Sequence, residues 1–263
     1  EKIAISSDKP NTTRNNIAGI LTQEDCQYVF VDTPGIHKPQ QQLGRILNKN
    51  AYTAMEDCDV IAWIIDCTQP FGRGDTFILE RIKKLHKPTL LLLNKVDMLT
   101  KDELMKACLA WQEQYNFDEL IPISALEKDN LDELLRVFKA YLPEGLAMFP
   151  EEMKSDHDET FQMCEIVREK ILKRTNQEIP HSIAVVLESR KEDENHMDLG
   201  MLVIVDKPSQ KGILIGKQAK MIRSIRLASQ KELSEKFHKK VHLDLYVRVE
   251  KNWRNQHEKI KEF

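Results

Sequence analysis

The hydrophobic and polar positions of residues 1–149 alternate between short apolar runs and segments with helical spacing. Such runs are typical of buried strands in a parallel sheet, and the segments between them are typical of amphipathic helices. The predicted strands are at residues 16–21, 27–31, 60–65, 89–93 and 120–123. The predicted helices are at residues 43–55, 77–85, 102–115 and 131–142. This alternation predicts a three-layer α/β domain.

A polar, acidic segment at residues 150–158 predicts a linker, and the pattern changes after it. The elements predicted beyond the linker are a helix at 160–175, strands at 183–187 and 201–205 around a charged hairpin excursion at 190–198, a short segment at 212–215, a helix at 220–237 and an alternating strand at 241–249. Their order is α-β-β-α-α-β. The sequence therefore predicts two domains, at residues 1–149 and 159–263.

Three short polar strings each follow an apolar run of the first domain directly. They are Asp32-Thr33-Pro34-Gly35, Asn94-Lys95-Val96-Asp97 and Ser124-Ala125-Leu126. Ligands of parallel sheets bind outside the carboxyl ends of the strands, which is where all three strings fall. Each string alone is also common in ordinary turns and loops. As an ordered set after strands, they predict a guanine-nucleotide site.

The second and third strings carry groups suited to reading a guanine base. The carboxylate of Asp97 accepts hydrogen bonds and matches the adjacent N–H donors of guanine, which adenine lacks. We expect Asn94 to tie the loops together, the stem of Lys95 to lie along the base plane, and the N–H of Ala125 to donate to the guanine carbonyl. An unpaired buried polar group costs about 1–3 kcal/mol, so this set should reject ATP.

The first string carries groups suited to a phosphate chain. Asp32 can hold a magnesium ion through water, as the second acidic motif of P-loop NTPases does. Pro34 stiffens the turn that follows. Gly35 has no Cβ, so its N–H can approach a γ-phosphate.

Composition and charge limit the class of protein. A hydrophobic content of 41% is ordinary for a globular protein, and no apolar stretch is long enough to span a bilayer, so we expect a soluble, cytoplasmic protein. The five cysteines include no CxxC pair, which favours reduced thiols over a zinc site. The net charge is −3, but residues 207–263 carry 15 lysines and arginines against 6 acidic residues, a net charge of +9. This asymmetry predicts a polyanionic partner for the C-terminal segment.

The basic segment surrounds the string Gly216-Lys217-Gln218-Ala219, which Lys211, Lys220 and Arg223 flank. Lysine and arginine contacts to the backbone supply most non-specific affinity for nucleic acids, so we predict that this set binds RNA. Gly216 alone would equally fit the C-terminal cap of a helix. The Cβ of Ala219 disfavours a positive φ and could hinder close approach of a phosphate.

Three segments resemble one family. Residues 9–14, Lys9-Pro10-Asn11-Thr12-Thr13-Arg14, resemble the switch I segment of Era-type GTPases, and residues 31–37, from Val31 to His37, resemble their switch II. Ile215-Gly216-Lys217 resembles the start of the GxxG loop of their C-terminal KH domain, although Ala219 stands where the second glycine is usual. The resemblance covers nearly the whole chain. It implies a P-loop GTPase domain followed by an α+β type II KH domain, which binds single-stranded RNA.

The resemblance also implies function. The cofactors would be GTP or GDP and Mg²⁺, with Thr13 and Asp32 at the metal. The partner would be small-subunit ribosomal RNA near its 3′ end, and the role would be in assembly of the 30S subunit. The resemblance further implies a monomer with an optional peripheral contact to the inner membrane. Ile36 stands where many GTPases carry a glutamine that orients water, which implies slow intrinsic turnover.

No GxxxxGK[ST] string is present in the sequence. Residues 1–6 resemble the stretch that follows the P-loop and its helix in Era, so we expect the first strand, the P-loop and the first helix to be missing from this chain. One alternative is an RNA-binding protein whose nucleotide domain is structural and does not hydrolyse GTP. Another is a two-domain ribosome-assembly GTPase related to the tandem GTPases that end in a KH-like domain.

Overall fold

The computed structural model describes residues 2–7, 9, 12–36, 39, 41–175, 179 and 182–262, with the side chains of 261 and 262 left aside. The chain divides into two compact units. The larger unit comprises Glu1–Gln23, Gln27–Ala51 and Phe149–Phe263, and the smaller unit comprises Glu24–Cys26 and Tyr52–Met148. Each unit is described by itself below.

Two strands and a helix come first in the chain: β1 (Ile17–Gln23), β2 (Cys26–Asp32) and α1 (Gln42–Asp57). β1 and β2 pair in a two-stranded sheet of their own. Residues 16–21, 27–31 and 43–55 were the predicted positions of these elements, and the prediction is confirmed. The short connection at Glu24 and Asp25 lets the two strands pair as neighbours.

The smaller unit is built on a three-stranded parallel sheet with the order β3-β4-β5. Its elements are β3 (Ile61–Asp66), α2 (Arg73–Leu85), β4 (Thr89–Asn94), α3 (Lys101–Gln112), β5 (Glu119–Ile123) and α4 (Leu131–Tyr141). Consecutive residues of β4 are buried, so both faces of this central strand are covered, as its continuous apolar run predicted. Trp63, Leu79, Ile82 and Trp111 belong to the core between the sheet, α2 and α3.

The C-terminal part of the larger unit has the predicted order α-β-β-α-α-β. Its elements are α5 (Glu159–Arg174), β6 (Ala184–Glu192), β7 (His196–Val205), α6 (Pro208–Ile215), α7 (Lys220–Phe237), β8 (Lys240–Val249) and the short α8 (His257–Glu262). The sheet order is β6-β7-β8, with β6 antiparallel and β8 parallel to β7. The charged hairpin predicted at residues 190–198 is formed by the paired ends of β6 and β7, whose ladder hydrogen bonds use the backbone.

The sheet of the larger unit is covered on both faces. α5 and α7 pack on one face through Met163, Val167, Ile225 and Leu233. Trp253 packs on the other face with Ala184, Leu202 and Ile204, and its indole N–H donates to the Ser182 carbonyl at 3.1 Å. The tryptophan is therefore a core residue. Its 2% exposure excludes a role in stacking on a base.

A buried carboxylate on α5 fastens the first described residues of the chain to the larger unit. Glu169 has no exposed surface and accepts hydrogen bonds from Lys2 at 2.7 Å, Lys170 at 2.9 Å and the Ser6 N–H at 3.1 Å, and it pairs with Lys173 at 3.0 Å. Burial alone would raise the pKa of Glu169, but these donors outweigh it and hold the pKa at about 2. Lys2 and Ser6 are thus tied to α5 within the unit.

Candidate functional site

Two predicted strings lie together at the carboxyl edge of the three-stranded sheet. The register pairs Asp66 of β3 with Asn94 of β4, and Asn94 with Ile123 of β5. Ser124 follows β5 directly. Residues 94–97 and 124–126, called the base loops below, therefore leave the sheet from adjacent strands, as the parallel arrangement predicted.

Two side-chain hydrogen bonds connect the base loops. The side-chain carbonyl of Asn94 accepts from the N–H of Ala125 at 2.9 Å, and Asp97 Oδ1 accepts from the Ser124 hydroxyl at 2.6 Å. The Ser124 hydroxyl also accepts from the N–H of Glu127 at 3.1 Å, and the residue is 1% exposed. These bonds fix Asn94 and Asp97 while leaving the Asn94 amide N–H₂ and Asp97 Oδ2 outside the two bonds. The amide N–H₂ of Asn94 can donate to a ligand, and Asp97 Oδ2 can accept from one.

Lys95 and Leu126 complete the strings. Lys95 has a left-handed backbone conformation with φ 72°, and its ammonium pairs with Asp66 at 2.7 Å. Leu126 is 81% exposed, so its side chain is available to a ligand and contributes little to packing. Sequence reasoning missed Asp66. The sequence did carry a signal for Asp66. It is a polar residue at the end of the apolar run of β3, the same place that Asn94 takes at the end of β4.

The groups predicted for the phosphates and the metal lie in the larger unit. The Thr13 hydroxyl donates to Asp32 Oδ2 at 3.0 Å, so the two residues named for the metal are neighbours. Asp32 ends β2, and the residue as a whole is exposed. Its carboxyl group is nevertheless partly buried, and this burial raises the pKa of Asp32 despite the hydrogen bonds from Thr13 and the Thr33 N–H, which lower it. Pro34 is buried beside them.

Gly35 follows in an irregular segment, and a Cβ built on it would meet no atom of the described residues within 4 Å. Packing within the protein therefore does not require a glycine here, which leaves close approach of a ligand as a reason for one. Pro10, Asn11 and His37 of the predicted switch segments lie outside the described residues.

A hydroxyl and a carboxylate are the hard oxygen ligands that Mg²⁺ prefers, and the ion commonly takes only one or two protein ligands beside phosphates and waters. Thr13 and Asp32 fit such a site. Within the part of the chain that the structure describes, no group of three or more His, Cys, Asp or Glu side chains could hold a metal ion.

The fourth predicted set forms a tight turn between α6 and α7. Residues 216–219, called the basic loop below, start at Gly216, which caps α6 with φ 70° and donates its N–H to the Gly212 carbonyl at 2.9 Å. A Cβ on Gly216 would lie 2.7 Å from the Met221 Cβ. Gln218 and Ala219 also have positive φ, at 52° and 57°. The helix-cap interpretation is thus correct, and the cap is at the same time the start of the loop.

Cations surround the basic loop. Lys217, Lys220 and Arg223 are exposed, and Lys211 is half-buried on α6. None of the four forms an ion pair with a residue that the structure describes. Gln218 is exposed between them. The loop is therefore a tight turn with positive charge on its surface.

Comparison with known proteins identifies the family. A family model described as a 50S ribosome-binding GTPase matches residues 1–95, and one described as a KH domain matches residues 178–254. The crystal structure of Era in complex with MgGDPNP and nucleotides 1506–1542 of 16S ribosomal RNA has a TM-score of 0.96 and 34% identity, covering 100% of this chain and 90% of that chain. This chain belongs to the Era family. The same values describe its likeness to a variant of Aquifex aeolicus Era bound to GDP and AlF₄⁻.

Membership of the Era family confirms the predicted fold class, a GTPase domain followed by a KH domain, and the predicted enzyme class, a GTP hydrolase. The interpretation as a relative of the tandem GTPases is set aside. The roles of single residues and the bounds 1–149, 150–158 and 159–263 stay predictions. Among the described residues, no helix is long and apolar enough to cross a membrane.

Proposed function

We propose that this protein is a GTP-binding and GTP-hydrolysing switch that binds small-subunit ribosomal RNA through its KH domain and acts in assembly of the 30S subunit. The observation that carries the proposal is the pair of hydrogen bonds that fixes Asn94 and Asp97 at the carboxyl edge of the sheet. These bonds hold a carboxylate and an amide in fixed positions where open α/β sheets bind nucleotides.

Guanine selectivity follows from the chemistry of the base loops. The carboxylate of Asp97 can accept from both N–H groups on one edge of guanine, and the N–H of Ala125 and the amide of Asn94 lie beside it. Adenine lacks this pair of donors and would leave the Asp97 carboxylate without a partner on the base, at about 1–3 kcal/mol for a desolvated group. The site is therefore expected to prefer GTP and GDP over ATP.

The phosphate end is assigned to Asp32, Thr33, Pro34 and Gly35, with Thr13 and Asp32 at Mg²⁺. A bound Mg²⁺ would neutralise charge that develops on the phosphate oxygens. Thr13 and Asp32 would hold the ion between them, while Gly35 would let its N–H approach the terminal phosphate. Ile36 cannot orient water through a hydrogen bond, which supports slow intrinsic hydrolysis.

RNA binding is assigned to the basic loop and its flanks. A GxxG-type loop clamps the backbone of about four nucleotides, and the exposed Lys217, Lys220 and Arg223 would neutralise phosphates. Lys211 on α6, Gln218 and Ala219 complete the assigned set. The crystallised Era–RNA complex contains nucleotides 1506–1542 of 16S ribosomal RNA, and by relationship we propose the corresponding region as the target here.

Two arginines support a coupling between nucleotide state and RNA binding. Arg14 donates to the Ile183 carbonyl, and Arg168 of α5 donates to the Thr12 carbonyl. Both contacts join the predicted switch I segment to the part of the unit that carries the KH elements. Ordering of switch I by GTP and its release on hydrolysis would thereby reach the RNA-binding elements. We further propose a cytoplasmic monomer with an optional peripheral contact to the inner membrane.

The first experiment is titration with a fluorescent GDP analogue and Mg²⁺, with GTP and ATP as competitors. It uses the 263-residue chain and, where the gene encodes residues before Glu1, the extended form as well. We expect GTP but not ATP to displace the analogue from the form that carries a P-loop. A folded protein that binds no guanine nucleotide in either form would be a structural nucleotide domain and would contradict the proposal.

The second experiment measures binding to an RNA oligonucleotide from the 3′ end of small-subunit ribosomal RNA over a range of salt concentrations. We expect the double variant Lys217→Ala/Lys220→Ala to bind more weakly and with a shallower salt dependence. Lys231→Ala is the matched control, because Lys231 is an exposed lysine of the same α7 outside the loop. Equal losses in the two proteins would contradict the assignment of the loop.

A further inference from the structure

The carboxylate of Asp66 has a different partner on each oxygen. Oδ1 accepts from the N–H of Thr68 at 3.0 Å and from its hydroxyl at 2.6 Å, and Oδ2 accepts from the Lys95 ammonium at 2.7 Å. Asp66 is the last residue of β3 and pairs in register with Asn94. The carboxylate thus joins the turn after β3 to the base loop after β4.

The turn fixes the direction of the second oxygen. The Asp66 carbonyl also accepts from the N–H of Gln69 at 3.1 Å, so residues 66–69 form a closed turn around the side chain. An asparagine would satisfy such a turn equally well, because only one side-chain oxygen is used there. The turn therefore does not explain why a charged second oxygen points at Lys95.

Lys95 occupies a conformation that needs support. A left-handed φ of 72° is uncommon for a residue other than glycine and persists where the surroundings hold it. The lysine side chain is half-exposed, and burial of the Asp66 side chain is intermediate. Burial opposes ionisation of Asp66, but the hydrogen bonds from Lys95 and Thr68 outweigh it and lower its pKa, while the same contact raises the pKa of Lys95.

We propose that Asp66 is a positioning residue for the guanine base, which anchors the Lys95 ammonium beside β3 so that the lysine stem lies along the plane of the base. The inference rests on the proposed nucleotide function of the base loops. A lysine held in place before the ligand arrives loses less side-chain freedom on binding, so the anchor increases affinity without contacting the nucleotide. The competing explanation is an ordinary surface ion pair with little effect on binding.

The test is a double-mutant cycle of GDP affinity in a form of the protein that binds GDP. Asp66→Asn keeps the turn acceptor and removes the charge, and Lys95→Ala removes the stem. We expect each to weaken binding by about three- to tenfold and the double variant to be no weaker than Lys95→Ala alone. Glu80→Gln, which breaks the exposed Glu80–Lys83 pair on α2, should leave the affinity unchanged.

An NMR titration of the Lys95 side chain gives a readout that needs no nucleotide. We expect Asp66→Asn to lower the pKa of Lys95, since the hydrogen bond from the carboxylate raises it. An unchanged pKa, unchanged affinity in Asp66→Asn, or fully additive losses in the cycle would each overturn the positioning role. A wild-type protein that binds no guanine nucleotide in any form would instead overturn the nucleotide function itself, and the anchor with it.

Discussion

The base loops of the smaller unit and the basic loop of the larger unit hold their ligand-facing groups by different means. Side chains connect the base loops: Ser124 donates to Asp97, and Asn94 accepts from Ala125. The basic loop is shaped by its backbone, with positive φ at Gly216, Gln218 and Ala219. Base selection needs particular hydrogen-bonding groups, whereas a phosphate clamp needs particular N–H directions. The two loops should therefore respond differently to substitution.

Asp97→Asn should have the largest effect. The amide places a donor where guanine also donates, so we expect GDP affinity to fall by about 100-fold or more. Xanthine has a carbonyl at that position, so the affinity for XDP should rise as the affinity for GDP falls. Competition of both nucleotides against a fluorescent analogue measures the switch. Asp102→Asn on α3 is the control, and equal changes in both variants would mean that Asp97 does not read the base.

Gly216→Ala should have the next largest effect, and it acts through the backbone. The new Cβ would meet the Met221 Cβ at 2.7 Å, and φ is 70°, so we expect the free energy of unfolding to fall by about 1–3 kcal/mol. RNA affinity should fall with it. Gly212→Ala is the matched control, because a Cβ there meets nothing within 4 Å and lies within α6. Chemical denaturation compares the two, and similar stabilities would contradict a backbone requirement at Gly216.

Ser124→Ala should weaken nucleotide binding more moderately. It removes the hydrogen bond to Asp97 and the acceptor for the Glu127 N–H, a loss of about 0.5–1.5 kcal/mol per bond. We expect GDP affinity to fall by about five- to tenfold. Thr100→Ala, which removes the N-cap hydrogen bond of α3, should lower stability by a similar amount and leave GDP affinity unchanged. Equal affinity losses in the two would indicate general destabilisation.

Ala219→Gly should have the smallest effect. The left-handed conformation at φ 57° costs alanine about 1–2 kcal/mol, but glycine loses more backbone entropy on folding. We expect a gain in unfolding free energy of at most about 1 kcal/mol and modestly tighter RNA binding. Thermal denaturation and the RNA titration measure these changes. A clear loss of stability would show that the Cβ of Ala219 makes favourable contacts that outweigh the backbone term.

Much of the fold could be predicted because its signals are local. The continuous apolar run that became β4 and the spacing of α7 each depend only on neighbouring residues, and the helix at residues 220–237 has the predicted bounds. The strands β6 and β7 were predicted too short. The end of β6 is largely exposed and has no apolar pattern, and it pairs through the backbone ladder from Ser189 to Glu192. The start of β7 does alternate, with Met197 and Leu199 buried between exposed neighbours, and the sequence interpretation passed over this short signal.

For the sites, the amino-acid order alone shows which polar groups follow which strands, because consecutive parallel strands place their carboxyl ends at one edge. It determined Asp97 as an acceptor and Gly216 as a turn residue from their chemistry alone. The partners of these groups became known from the folded chain: Ser124 donates to Asp97, Lys95 pairs with Asp66, and Arg168 donates to the Thr12 carbonyl. These contacts join residues that lie between 27 and 156 positions apart. No local pattern encodes such pairings, since they form only when separate elements pack together.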